Sequence, residues 1–278
     1  MSERPMSERP MNEPRDGSAP VRPLDAGLVA ELRRFAARET VLIALDFDGT
    51  LAPEVDVPDE ARALPAAVEQ LEALQRAPGV TIAFVSGRSL ASLDVVVPPS
   101  VTAAMIGSHG LELRLAPGDE VPAVDAADRA RVEALLDVLS PLVDAVEGAW
   151  IEHKPAGFAV HTRVVETDAA AALQAAVREA AAALDAGLTV RDGKNVVEFA
   201  VRDATKGDGL RALRSRLRPD AVLFAGDDVT DEDALAALEP GDVGIKVGDA
   251  STVAPWRVRS PQQLVLVLAA LADARQSA

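Results

Sequence analysis

The sequence predicts an α/β protein: a doubly wound, parallel, Rossmann-like sheet interrupted by an inserted α+β unit. Three observations lead there. Short apolar runs alternate with helix-periodic segments over residues 41–107, the βαβ signature of a parallel sheet. The same alternation resumes over 205–274. Between these stretches the strand-like segments alternate apolar and polar residues, as in a sheet with one wet face.

Residues 1–22 repeat MSERP and are rich in proline and charge, so a disordered tail is expected there. A capped helix is expected over about 25–38. "VLIAL" (41–45) reads as a fully buried strand, and 61–77 has helical periodicity. "VTIAFVS" (80–86) is the second strand, "GRSLASLDVVV" (87–97) turns into a short helix, and "VTAAMIG" (101–107) is the third strand. Proline and glycine within 108–124 suggest a hinge. The insert then reads as a helix (about 126–146), strands "AWIEHKP" and "FAVHTR", an Ala-rich helix (about 166–185), and strands "LTVRD" and "NVVEFAV". The first pattern returns with a helix (about 205–217), strand "AVLFAG" (221–226), helix 231–238, strand "VGIKVG" (243–248) and a last helix over 261–274. The expected domains are the tail (1–22), a core from 23–117 and 202–278, and a cap over 118–201.

Composition narrows the function. At 278 residues, 49% of them hydrophobic, the chain can bury two cores, and with 3% aromatics and no tyrosine those cores are mostly aliphatic. The net charge of −16 offers no basic footprint, which argues against a nucleic-acid partner. An anionic substrate would need a local cluster of Lys, Arg and metal to override that field. The absence of cysteine excludes disulfides, thiolate zinc sites and a cysteine nucleophile. The apolar run "LVLVLAALA" (264–272) falls short of the roughly 20 residues of a membrane span. The N-terminus lacks the apolar stretch of a signal peptide, so the expected setting is cytoplasmic, with no membrane partner.

The chemistry concentrates where strands end. "VLIALDFDGT" drives five apolar residues straight into Asp46 and Asp48. Carboxylates that close repel one another, and burial penalises their charge, so a cation or a reaction must explain them. "VSGR" puts Ser86 and Arg88 beyond the second strand, and "GDDVTDED" puts Asp227, Asp228 and Asp231 beyond another. "ATKGDGL" places Lys206 at a helix start; a lone lysine there is more often a surface residue. In a parallel sheet all of these converge on the carboxyl edge, where open α/β sheets bind ligands. An oxygen-rich site without cysteine suits Mg²⁺. In this reading Asp46 is the nucleophile and a metal ligand, and Asp48 is the acid and base. Ser86 holds a phosphate oxygen, and Lys206 neutralises charge as the phosphoryl group moves. Thr50 and Arg88 are grouped with the substrate contacts.

"DFDGTL" (46–51), "SGR" (86–88), Lys206 and "GDDVTDED" (226–233), in this order, resemble the four motifs of haloacid dehalogenase-like phosphatases. That resemblance implies Mg²⁺ held by the carboxylates of Asp46 and Asp227 and the main-chain carbonyl of Asp48. Asp228 and Asp231 would then orient ligands or a metal-bound water. "SHGLE" (108–112), "IEHKPAGFAVHTR" (151–163) and "GKNVVE" (193–198) are similar to segments of trehalose-6-phosphate phosphatases. This second resemblance implies sugar contacts from Glu112, Glu152, Lys154, His161, Arg163, Lys194 and Glu198. One departure is that Ala200 and Val201 stand where that family usually carries a basic residue, with Arg202 displaced. His161 and Arg163 are expected to share one strand face. The expected activity is Mg²⁺-dependent hydrolysis of trehalose 6-phosphate through an aspartyl-phosphate. The alternatives are another capped phosphatase, acting on sucrose 6-phosphate or mannosyl-phosphoglycerate, or an inactive sugar-phosphate-binding regulator. The expected partner is a small-molecule sugar phosphate, and the sequence leaves the oligomeric state open.

Overall fold

The computed structural model describes residues 22–55, 57–116, 118–119, 126–154, 156–193, 195–202 and 204–276. The expected tail lies outside these residues except for Arg22, and so does Lys194.

Helix α1 (Ala26–Ala36) opens on Asp25, whose carboxylate accepts from the Gly27 and Leu28 amides as an N-cap. Strand β1 (Val41–Leu45) is followed by α2 (Pro65–Gln75), β2 (Val80–Val85), α3 (Leu90–Val96) and β3 (Ala104–Gly107). Every residue of β1 is buried, because the strand lies mid-sheet with both faces covered. Val41, Ile43 and Leu45 pack in one layer with α1, α2, α3 and the last helix, α8 (Pro261–Gln276). Leu42 and Ala44 face the opposite layer, which includes residues of α6 (Lys206–Leu217) and α7 (Asp231–Ala236). One apolar run therefore feeds two cores.

The third strand is shorter than expected, and residues 101–103 lie outside it. The stretch expected to be a hinge begins with more order than its composition suggests. A 3₁₀ turn at Ser108–Gly110 leads into β4 (Glu112–Arg114), which pairs antiparallel to β3. A three-residue edge strand, β11 (Trp256–Val258), also lies outside the expected set. With β9 (Ala221–Gly226) and β10 (Val243–Val247), these strands make a seven-stranded sheet of order β11-β10-β9-β1-β2-β3-β4, parallel except for β4.

That order has a switch point. From β1 the chain steps outward to β2 and β3, then returns across to β9 on the other flank of β1. The crevice beyond the carboxyl ends of β1 and β9 is where such sheets bind ligands. Asp46 and Asp227 are the residues that follow those two strands.

Between β4 and α6 lies the inserted unit: α4 (Ala126–Asp144), β5 (Trp150–Lys154), β6 (Gly157–His161), α5 (Thr167–Leu184), β7 (Thr189–Gly193) and β8 (Val196–Ala200). Its strands form an antiparallel sheet of order β5-β6-β8-β7. Phe158, Val160, Val197 and Phe199 share one face and pack on Leu135, Leu139, Leu173 and Val177 of the two helices. Phe158 and Phe199 stack at 5.2 Å. Strand β6 ends at His161, and Thr162 turns away, its amide and hydroxyl both donating to the Asn195 carbonyl. Arg163 therefore lies in the following turn, exposed, and does not continue the His161 face as expected.

Among the described residues no helix is long and apolar enough to cross a membrane.

Phe158 is fully buried at the centre of the smaller core. Phe158→Ala should therefore cost about 3–5 kcal/mol of stability, measured by urea denaturation. Near-wild-type stability would mean that the inserted unit does not depend on this layer.

Candidate active site

The carboxyl edge of the large sheet gathers a buried charge cluster. The Asp46 amide extends the ladder by donating to the Ala225 carbonyl (2.9 Å), which fixes the residue at the strand end. Its carboxylate accepts from Lys206 Nζ at 2.8 Å, and the same ammonium donates to Asp231 at 2.6 Å. All three side chains are at most 5% exposed, so Lys206 is not the surface lysine its local context would favour. A capping box at Thr205 and Asp208 starts α6 and sets Lys206 at its first position.

Burial pushes the Asp46 carboxyl well above the usual carboxylate range; Lys206 opposes this, while Asp231 and Asp227 add to it. Burial also works against the charge on Lys206, but Asp46 and Asp231 outweigh it, and its pKa rises above the ordinary lysine value. Asp227 is raised too, first by burial, with a bond from Thr50 opposing and Asp231 adding. The site thus holds more negative charge than its one buried lysine can balance.

Carboxylate oxygens of Asp46, Asp227 and Asp231 approach within 4.8 Å of one another. An all-oxygen set of this kind fits a hard divalent cation such as Mg²⁺. Asp231 has both oxygens engaged, one by Lys206 and one by the Asp228 amide (2.8 Å), which suits an orienting role. The Asp228 side chain is exposed, and the residue enters the network through its main chain. Thr50, grouped with the substrate contacts from sequence, is fully buried and donates to Asp227 at 3.0 Å, so it orients a carboxylate instead. Gly49, at φ 75°, has to be glycine: a Cβ there would fall 2.1 Å from an Asp227 oxygen.

On the other flank, the Ser86 hydroxyl accepts from the Arg88 amide (3.1 Å). Arg88 does not face open space. Its guanidinium grips both Asp48 oxygens, at 2.6 and 2.7 Å, and donates to the Pro58 carbonyl. Glu112 also departs from expectation. It is buried in the core, on β4, and accepts from the Ser108 hydroxyl (2.6 Å) and the Leu90 amide (3.1 Å). It therefore braces the 3₁₀ turn and the start of α3.

What that turn presents is His109, which the sequence reading did not place in the site. Ser108 and His109 both adopt positive φ, 47° and 55°, which is unfavourable for residues with a Cβ. The imidazole packs on Gly87, where a Cβ would meet Cε1 at 2.5 Å. It lines a cavity of about 260 Å³ with Asp46, Asp48, Ser86, Lys206 and Asp227. Its Nδ1 is buried without a partner among the described residues. Burial lowers the His109 pKa to about 4; Glu198 opposes this, while Lys206, Lys154 and Arg191 add to it.

Glu198, Lys154 and Arg191 belong to the inserted sheet, so its open face lies within electrostatic reach of the core cavity. The strand registers put Trp150, Glu152, Lys154, His161, Glu198 and Arg191 on that face, opposite the helices. Lys154 pairs with Glu198 (3.0 Å), and His161 with Glu152 (2.8 Å), while Trp150 stacks on His161 at 4.6 Å. The His161 bond is the first cause holding the Glu152 carboxyl below its usual range. Trp150 and Arg191 are additions to the expected set; Arg191 also donates to the Ala204 carbonyl, in the return to α6. Lys194 and residues 117 and 120–124 of the expected hinge fall outside the described residues.

A doubly wound sheet with a carboxylate pair at its switch point, faced by an inserted α+β unit, defines the class of haloacid dehalogenase-like proteins. Residues 44–262 match the trehalose-phosphatase family, and the chain belongs to it. It is 37% identical over 266 residues to an uncharacterized glycosyl hydrolase of Mycobacterium tuberculosis, covering 90% of this chain and 19% of that one. It is 35% identical over 237 residues to the trehalose-phosphate phosphatase of Mycobacterium marinum, covering 80% of this chain and 59% of that one. The chain thus spans about a fifth of the first relative and about three fifths of the second. Its fold is similar to the C-terminal domain of C. albicans trehalose-6-phosphate phosphatase, with a TM-score of 0.70 and 22% identity, over 88% of this chain and 97% of that one.

An NMR titration should give the His109 ring a midpoint near 4, against the ordinary 6.5. Because the unfolded ring takes its proton first as pH falls, stability should decline between about pH 6.5 and 4. A midpoint near 6.5 would mean the ring is solvated and outside the cavity.

Proposed function

We propose that the chain is a Mg²⁺-dependent phosphatase that hydrolyses trehalose 6-phosphate to trehalose and phosphate through an aspartyl-phosphate on Asp46. The observation that carries this reading is the buried Asp46 carboxylate at the switch point, beside Lys206 and Asp227, beneath a sheet face bearing paired sugar-type hydrogen-bonding groups. Mg²⁺, held by the carboxylates of Asp46 and Asp227 and the main-chain carbonyl of Asp48, would neutralise the phosphoryl oxygens and so let two anions meet.

The protein groups divide the remaining work. Asp46 attacks phosphorus as the ester bond breaks. Lys206 keeps the nucleophile oriented and balances charge on the moving phosphoryl group. Ser86, on the far wall of the same cavity, donates to a phosphate oxygen. Asp48 protonates the leaving oxygen and later takes a proton from the attacking water. Its bidentate bond to Arg88 holds that carboxylate at the cavity wall, and one of its oxygens has to leave Arg88 and take up a proton before it can donate to the ester oxygen. His109, neutral at pH 7, offers a ring nitrogen to a hydroxyl near the ester. Glu152, Lys154, His161 and Glu198 bind the sugar hydroxyls.

The deciding experiment is phosphate release from trehalose 6-phosphate, sucrose 6-phosphate, mannosyl-phosphoglycerate and glucose 6-phosphate, with and without Mg²⁺. Turnover should be highest on trehalose 6-phosphate, vanish in EDTA and return with Mg²⁺. Full activity after exhaustive chelation would sink the metal requirement, and preference for another ester would move the substrate. Asp46→Asn should abolish turnover, and Asp48→Asn should slow it by about 10²–10⁴-fold. An active, folded Asp46→Asn would rule out the aspartyl-phosphate.

The open face of the insert yields a separate expectation. Lys154→Ala or Glu198→Ala, each leaving the other's charge unpaired, should lower kcat/KM for trehalose 6-phosphate at least about tenfold, or roughly 1.4 kcal/mol. p-Nitrophenyl phosphate, too short to reach that face, should lose little. Equal losses on both substrates would reduce the pair to support of the fold.

A further inference from the structure

A second buried lysine lies outside the chemistry described above. Lys246, in the middle of β10, is 1% exposed. Its neighbours on the strand, Ile245 and Val247, point into the aliphatic core; Lys246 points the other way, toward the loop that joins β9 to α7. There Nζ donates to the Asp228 carbonyl and to a Glu232 oxygen, both at 2.9 Å. The other Glu232 oxygen accepts from the Thr252 hydroxyl (3.1 Å) and the Val253 amide (2.9 Å). Lys246 is therefore tied through Glu232 to the segment after β10.

Stability alone does not account for a lysine here. Burying an ammonium is costly even when it is paired, and an apolar residue of similar volume in place of a buried ion pair is often neutral or stabilising. What the pair does secure is the main chain of Asp228. Its amide is held from one side by Asp231 (2.8 Å) and its carbonyl from the other by Lys246 (2.9 Å). Both peptide groups flanking Asp228 are thus pinned, and the first of them also ends Asp227. With that peptide fixed, the Asp227 carboxylate is aimed at Asp46, against Gly49 and the Thr50 hydroxyl.

We propose that Lys246, anchored by Glu232, is a positioning residue that holds the Asp227 loop in its cation-binding geometry. This rests on the reading of Asp227 as a metal ligand. Lys246 touches neither the cavity nor the reacting groups; it acts through one backbone carbonyl. Such supporting bonds around metal ligands characteristically matter about 10–100-fold in metal affinity.

The test is Mn²⁺ binding to the intact protein, followed by electron paramagnetic resonance without substrate, beside thermal unfolding and steady-state kinetics. The wild type is the control: if it binds no Mn²⁺, the metal reading itself fails, whatever Lys246 does. Given binding by the wild type, Lys246→Met should weaken Mn²⁺ affinity about tenfold or more. The KM for the sugar phosphate at saturating metal should stay within about twofold, because the bond lost is to the metal-ligand loop. The double variant Lys246→Met/Glu232→Gln removes the unpaired charge but does not return the bond to Asp228, so its metal affinity should remain weak. Wild-type Mn²⁺ affinity in folded Lys246→Met, or its recovery in the double variant, would overturn the proposal and leave Lys246 as a counter-ion for Glu232. Should Lys246→Met fail to fold, Glu232→Gln alone decides. It keeps the lysine but loosens its anchor, and should weaken Mn²⁺ binding by about threefold or more; unchanged binding there would overturn the proposal.

Discussion

A single ammonium organises the molecule's charged edge. Lys206 sits between Asp46 and Asp231 with almost no solvent around any of the three. Taking one partner from such a cluster leaves an uncompensated buried charge, which typically costs about 3–5 kcal/mol. The cluster also joins parts of the chain that are far apart in sequence. Asp46 ends β1, Lys206 opens α6 after the inserted unit, and Asp231 opens α7 after β9. Its formation requires the parallel sheet to close across its switch point, so the fold and the site are completed by the same contact.

The rest of the site answers to the charge this cluster leaves unbalanced. Three carboxylates cluster beside one buried lysine that bonds two of them, and Asp46 and Asp227 are both raised by burial and by their acidic neighbours. A site in this state favours a divalent cation, and the surrounding backbone is built to keep it so. Gly49 leaves room for the Asp227 carboxylate, Thr50 bonds it, and Asp231 and Lys246 pin the next residue from both sides. Asp48 belongs to a different network, gripped by Arg88 on the opposite wall. Two acids two positions apart thus stand in separate environments.

The inserted sheet meets this edge with polar groups that are already paired with one another. Lys154 pairs with Glu198, and His161 with Glu152, on this face. His109 lies at the junction of the two surfaces. Lys154, Arg191 and Glu198 of the insert and Lys206 of the core all act on its ring, and burial keeps it neutral.

The sequence by itself determined the fold class and the positions of most elements, because these rest on local patterns. A five-residue apolar run is of strand length and reads as a strand buried on both faces, and alternation in the insert marks a sheet with one open face. The expectation that Asp46, Asp48, Ser86 and Asp227 gather at one edge follows from strand ends in a parallel sheet, and Lys206 joins them there from the start of a helix. Tertiary structure alone decided which partner each side chain takes. Thr50 turns to Asp227, Arg88 to Asp48, and Glu112 to Ser108, because each finds a complementary polar group that only the folded chain brings near. The three-residue strands β4 and β11 are too short to carry a period, and only pairing defines them. His109 was hidden because nothing in a sequence announces two consecutive non-glycine residues at positive φ. Lys246 was hidden by an otherwise apolar strand, where one lysine reads as an exception until the carbonyl it holds is seen.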